Sequence, residues 1–255
     1  MTAARLPLCL LALLSVAETS YAQTPPAPAK EPPPLWDVQL GASFVGTGGN
    51  SDTRTFGSDF SLHRRWPLWK LEAAATAVST TDRGEKTAER YLAALRGDRK
   101  LSDRIDFSTG ERAEWDRLAG ISFRSITDAG LKYAIVRRPE WTLDGLTSIA
   151  LNHEEPVHGE TLNHAIALLQ ALSKITFSKT SDSTQRFNFY PDFQDSSAYR
   201  AEAEVTAQAA MNSRLALKFG YLWRFSNAPP VGFVKSDNTA TASLVVRWKA
   251  ATGAP

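Results

Sequence analysis

The side chains in this sequence with reactive chemistry are four histidines, His63, His153, His158 and His164, and a large set of acids and bases. A membrane-face lipase or deacylase needs a serine oriented by a histidine, often two residues apart on one strand face. None of the four histidines is followed by serine at that spacing. A serine brought up from a neighbouring strand to His63 or His164 leaves a lipid or lipopolysaccharide hydrolase as the alternative reading. His153, Glu154, Glu155, His158 and Glu160 have the ligand types of a weak divalent-cation site. No metal-ligand register repeats there, so a solvated acidic loop is the preferred reading. Gly48-Gly49-Asn50 is a turn signature before it is a ligand loop, because its residues tolerate positive φ. No protease motif is present, and no catalytic, cofactor-binding or metal-binding residue is assigned. The expectation is a protein that is not an enzyme and carries no cofactor.

The more informative charges recur at every second position. Arg96 and Asp98 share one parity, as do Arg112, Glu114 and Asp116, then Arg124 and Asp128, then Arg200, Glu202 and Glu204. Lys70, Glu72, Lys218, Arg224 and Arg247 sit among similar alternations. The intervening positions are Leu, Val, Ala or aromatic. Charge on a lipid-facing position costs about 2–4 kcal/mol for Arg or Lys at the bilayer midplane. If the apolar set meets lipid, the charged set therefore points into a lumen. Both signs occur in similar numbers, which fits either an ion-pair network filling a narrow barrel or an aqueous pore of weak selectivity. Glu111 falls on the apolar face beside Phe107, Ala113 and Trp115, and a bulge at Gly110 would turn it inward.

The elements that must hold these charges are strands. Val38, Leu40, Ala42 and Phe44 alternate with Gln39, Gly41 and Ser43, and Leu215 to Phe225 and Ala242 to Trp248 alternate similarly. The pattern predicts about twelve antiparallel strands near 36–46, 54–64, 69–79, 90–100, 105–116, 121–136, 141–152, 161–177, 183–193, 199–210, 214–226 and 239–249. Residues 162–172, LNHAIALLQAL, have a composition that also suits a helix. Tight connections such as RWPL, LSDR and RRPE alternate with mostly longer, more polar ones such as TDRGEKTAE and NAPPVGFVKSDN. That is the asymmetry of short periplasmic turns and external loops in an outer-membrane barrel. Trp36, Trp66, Trp69, Trp141 and Trp248 fall at strand ends near the tight turns, whereas Trp115 and Trp223 lie toward the other ends. Two aromatic girdles at headgroup level are the expectation. A soluble periplasmic β-barrel binding protein is the second alternative, since a soluble sheet also alternates.

Length and composition agree. The chain has 255 residues, 43% of them hydrophobic, and a formal charge of +2. Mean hydropathy is −0.27, and one apolar run, Leu6 to Ala17, is sustained. A polytopic helical membrane protein is excluded, since each span needs about 20 apolar residues. The near-neutral charge argues against nucleic acid as a partner. Arg5, the apolar run and Ser20-Tyr21-Ala22 have the anatomy of a cleaved export signal over 1–22, which contains Cys9, the single cysteine. The Pro-rich segment 23–35 reads as a linker, 36–249 as the barrel and 250–255 as a tail.

Gly49-Asn50-Ser51-Asp52-Thr53-Arg54-Thr55, Glu89-Arg90-Tyr91-Leu92 with Arg96 and Asp98, and Trp115-Asp116-Arg117-Leu118-Ala119-Gly120-Ile121 carry a family likeness. They resemble motifs of the salt-induced outer-membrane protein family, a domain family of unassigned function. A stretch that is richer in glycine in that family is Asp128-Ala129-Gly130-Leu131-Lys132-Tyr133 here. The resemblance covers nearly all of 36–249. It implies an outer-membrane barrel and little about mechanism; the working expectation is an all-β, antiparallel transmembrane barrel, structural or a narrow passive channel for small solutes or ions, with salt stress suggested by the family label. Its expected partners are outer-membrane lipid and the barrel-assembly machinery during biogenesis, with the protein itself a monomer.

Overall fold

Residues 35–46 and 53–250 are described by a computed structural model of the protein. The export signal, the linker before Leu35, the Gly48-Gly49-Asn50 turn and the tail from 251 lie outside the described residues.

The strands are β1 (Trp36–Gly46), β2 (Thr53–Arg65), β3 (Trp69–Asp82), β4 (Glu85–Lys100), β5 (Ile105–Asp116) and β6 (Ile121–Arg137). They continue as β7 (Trp141–Pro156), β8 (Leu162–Thr176), β9 (Ser181–Tyr190), β10 (Arg200–Ala210), β11 (Leu215–Ser226) and β12 (Ser236–Ala250). Each pairs antiparallel with its sequence neighbours, and β12 returns to β1 to close a barrel. The closing seam runs from Trp36 opposite Ala250 to Ala42 opposite Leu244. Lys218 of β11 reaches Asp59 of β2 at 3.3 Å, across the lumenal side of that seam. Among the described residues no helix is long and apolar enough to cross a membrane.

Period two divides the wall into two surfaces. Leu40, Phe60, Leu95, Leu169, Val205, Phe219 and Leu244 stand on the outside. Ile149 and Leu151, in the body of β7, are 69% and 67% exposed, values that water would not sustain across a whole belt. The outer surface is therefore the one that meets hydrocarbon. At its turn-side edge, Trp69, Trp141 and Trp248 are exposed, with Trp36 partly exposed. At its loop-side edge the Trp115 ring lies 5.2 Å from that of Phe123, tilted by 46°, and Trp223 stacks on Phe225 at 6.0 Å.

Residues 162–176 are strand, as the period-two pattern predicts, and three details differ from that pattern. Within β8 Leu169 is exposed, while Ile166 and Leu168 are buried in the lumen. Those two join Ile126, Leu146, Ala150 and Tyr190 in an apolar cluster inside the barrel, so the inner face is not purely polar. The connection after β3 is a turn of Arg83 and Gly84, not a long loop. Both have positive φ, 50° and 86°, as two-residue hairpin turns of the I′ kind demand. Finally, no bulge occurs at Gly110. The ladder is continuous through Gly110, and Glu111 stays on the outer face, where it accepts a hydrogen bond from Thr127. Gly110 serves the lumen instead: a Cβ there would lie 2.6 Å from Arg96 Nη2.

Placing Arg at Ile149 is expected to lower unfolding free energy in vesicles by about 2–4 kcal/mol. Glu111→Leu should raise the urea midpoint of the same transition. Urea titration followed by heat-modifiable gel mobility checks both.

Candidate functional site

The lumen is crossed at mid-height by ion pairs. Arg112 of β5 donates two hydrogen bonds of 2.7 Å to the two carboxylate oxygens of Glu202 on β10, the opposite wall. Its Nη1 also donates to the Tyr190 hydroxyl at 2.8 Å, and that hydroxyl donates to Glu202 at 3.3 Å. Asn188 adds a hydrogen bond of 3.2 Å to the same carboxylate. A bidentate guanidinium–carboxylate fork is the strongest and most directional of protein ion pairs.

A second tier lies immediately toward the loops. Arg224 of β11 reaches across to Asp116 at 2.8 Å and Glu114 at 3.3 Å, both on β5. Glu114, 2% exposed, is the hub: Arg90 lies 2.7 Å away, and Arg112 and Arg124 each lie 3.6 Å away. Four guanidinium groups thus surround one carboxylate. Along one wall Arg124 pairs with Glu154 at 2.8 Å, and Arg200 pairs with Glu154 at 3.0 Å while donating to Asn152. Toward the turns, Arg96 holds Asp128 at 2.6 Å, Lys132 holds Asp98 at 2.6 Å, and Arg186 meets Glu204 at 3.2 Å. Lys70 closes on Asp106 at 2.5 Å.

Two of these pairs, Arg112–Glu202 and Arg224–Asp116, bridge the lumen from wall to wall. Below the waist is a cavity of about 280 Å³, bounded by Arg112, Glu202, Tyr190, Leu168 and Leu222. Above it is a pocket of about 60 Å³ beneath the connection 227–235. That connection extends over the mouth, where the Phe233 ring sits against Gly120 in the loop after β5. A Cβ at Gly120 would lie 2.7 Å from the ring, and its φ of 86° independently favours glycine.

The expected lumenal residues Arg96, Asp98, Arg112, Glu114, Asp116, Arg124, Arg200, Glu202, Glu204, Lys218 and Arg224 all face inward and all carry ion pairs. Arg90 and Glu154 are central to the network and absent from that set. Arg90 has the parity of Arg96 and lies in a strand that begins earlier than its pattern suggests. Glu154 belongs to a strand that runs on to Pro156 rather than to an acidic loop. Tyr190 and Asn188 had no charge to mark them.

The possible cation ligands do not converge. Glu154 turns inward to Arg124, while His153 lies outside with Asn163 and Glu155 at 2.7 and 3.2 Å. Among the described residues no group of His, Cys, Asp and Glu could hold a metal ion. His63 lies 4.0 Å from Glu72, and His164 Nδ1 lies 2.6 Å from Asp192 Oδ2. Asp192 also accepts from the backbone N–H groups of Gln194 and Asp195, pinning the connection 191–199. Burial pushes its carboxyl upward, but the His164 hydrogen bond and the two N–H groups outweigh that and hold it below the ordinary range.

The family described as "Protein of unknown function, DUF481" matches residues 38–248. The chain belongs to that family. No curated protein matches the sequence. Among solved structures, an outer-membrane channel from Pseudomonas putida F1 is 9% identical with a TM-score of 0.49, over 88% of this chain and 99% of that one. The NanC porin is 12% identical with a TM-score of 0.45, over 83% and 97%. The KdgM porin crystallised with disordered oligogalacturonate is 7% identical with a TM-score of 0.43, over 84% and 98%.

Glu202→Ala should cost about 3–5 kcal/mol, because it leaves Arg112 buried without its carboxylate. Adding Arg112→Met to that variant should recover most of the loss, which a double-mutant cycle on urea unfolding measures. For the loop, a carboxyl depressed in the folded state stabilises it above the unfolded pKa and releases it as pH falls through the folded value. Amide protection in 191–199, corrected for the intrinsic exchange rate, is therefore expected to fall below about pH 4, and Asp192→Asn should bring that lower protection to neutral pH.

Proposed function

We propose that this protein is an outer-membrane channel for small solutes or ions whose path is held shut at the waist by ion pairs. One observation carries the reading. The Arg112–Glu202 fork joins opposite walls of the barrel with a solvent-sized cavity directly beneath it. Ion pairs can part and re-form, whereas a lumen filled with apolar side chains stays closed. Partly buried pairs of opposite charge form a barrier that neither cations nor anions cross until the pairs separate, and each half then offers a counter-charge to a passing ion.

In this reading the chain is exported behind residues 1–22, inserted by the barrel-assembly machinery, and works as a monomer surrounded by outer-membrane lipid. The salt-stress association of the family it resembles fits a barrel that admits small osmolytes or ions on demand. The closed lumen also favours a second reading, a structural barrel stiffened by the same network. Conductance separates the two.

In planar bilayers the wild-type protein is expected to be closed for most of the recording, with brief openings. Arg112→Ala combined with Glu202→Ala should conduct steadily. In a salt gradient Glu202→Ala should favour anions and Arg112→Ala cations, read as reversal potentials of opposite sign. Silence from the double variant would leave only the structural barrel.

A further inference from the structure

The turn-side rim of the barrel carries a surface that the channel reading does not use. The short turns and the described chain ends Trp36 and Ala250 lie at this end, which makes it the periplasmic one. Its outward and turn positions include Arg64, Arg99, Arg104, Arg138, Lys179 and Arg214. Among the described residues of that rim the outward and turn acids are Asp103 and Glu140, and Asp103 is already paired with Lys100 at 2.7 Å. The rim is therefore basic where it meets the inner leaflet.

Two of these cations are held in place. The Arg64 guanidinium lies 3.9 Å from the Trp36 ring and 4.4 Å from the Trp66 ring, and Arg99 lies 5.6 Å from Trp69. A guanidinium lying over a ring engages its face and leaves its edge donors available to an oxyanion. Neither arginine has an ion-pair partner among the described residues, in contrast to the arginines of the lumen.

Beside Arg99 the outer wall is indented. Gly97 faces outward between Leu71 of β3 and Thr109 of β5. A Cβ built on it would have no neighbour within 4 Å, so the wall is bare at that point. Trp66, Pro67, Leu68, Trp69 and Leu71 border an open apolar groove of about 650 Å³ floored by Gly97. The groove lies on the outer surface, and Arg99 stands opposite Trp69, one of its lining residues, two positions from Gly97 toward the turns. An apolar slot for an acyl chain, with guanidinium groups lying over two of its lining tryptophans, matches one kind of molecule.

We infer that this groove is a binding site for an anionic phospholipid of the inner leaflet, its chain lying over Gly97 and its phosphate on Arg99 and Arg64. The inference rests on the barrel spanning a membrane, but not on its conducting. Attraction of this kind acts within a Debye length and weakens with salt.

The test uses the protein purified from membranes and reconstituted into phosphatidylethanolamine vesicles with or without added phosphatidylglycerol. The readout is the midpoint of the heat-modifiable gel transition. Phosphatidylglycerol is expected to raise the wild-type midpoint by about 2–4 °C, and the rise should disappear in high salt. Gly97→Leu puts a side chain into the slot at a position whose Cβ meets no neighbour within 4 Å, and Arg99→Gln removes the charge. Each should keep the wild-type midpoint in phosphatidylethanolamine alone and lose the rise. Equal wild-type midpoints in both vesicles, or a full rise in Gly97→Leu, would overturn the site. Failure to insert into either vesicle is a distinct result that refutes the membrane barrel itself.

Discussion

A strand wall standing in hydrocarbon has only its neighbours to satisfy its N–H and C=O groups, so the sheet must close on itself. Closure has a second consequence. Because side chains alternate strictly, every residue that does not meet lipid is delivered into one shared interior. The outward set of Leu40, Ile149, Leu169 and Leu244 and the inward set of Arg112, Glu114, Arg124 and Glu202 are two outcomes of the same alternation. Neither set could exist without the other in a barrel of this width.

The interior then faces its own constraint. Charges gathered inside the barrel lose much of their water and must find partners. Here they do so across the lumen as well as along the wall. Arg112 and Arg224 on β5 and β11 reach carboxylates on β10 and β5 respectively, drawing opposite walls together. The apolar cluster of Ile126, Leu146, Ile166 and Leu168 occupies lumenal space beside the waist, so that less water remains to compete with the pairs. Gly110 leaves room for Arg96 to reach Asp128, and Gly120 leaves room for Phe233 over the mouth. Ion pairs thus cross the lumen at two heights, with the connection 227–235 above them.

Much of this was legible in the chain because it depends on nearest neighbours in sequence. Parity assigned Arg96, Asp98, Glu114 and Arg224 to the inner face without knowledge of their partners. Arg90 and Glu154 were missed because they stand at or beyond the expected strand limits, and Ile166 and Leu168 lie in a segment whose composition also suits a helix, so no side was assigned to them. A leucine is equally content against lipid or against other lumenal leucines, so hydrophobicity alone does not choose its side. Glu111 is the reverse case: it tolerates the outer face with Thr127 as partner, and the continuous register left no way to turn it inward.

The sequence by itself determined the number of strands, their alternation, the two faces and the end at which the short turns gather, because each follows from local period and turn chemistry. Pairing was decided only by the tertiary structure. Which carboxylate Arg112 grips depends on the stagger of β5 against β10, residues separated by 90 positions. The same holds for the cavity beneath that pair, the reach of 227–235 over the mouth, and the bare wall at Gly97. These are distances across a closed curve, and no stretch of neighbouring residues encodes them.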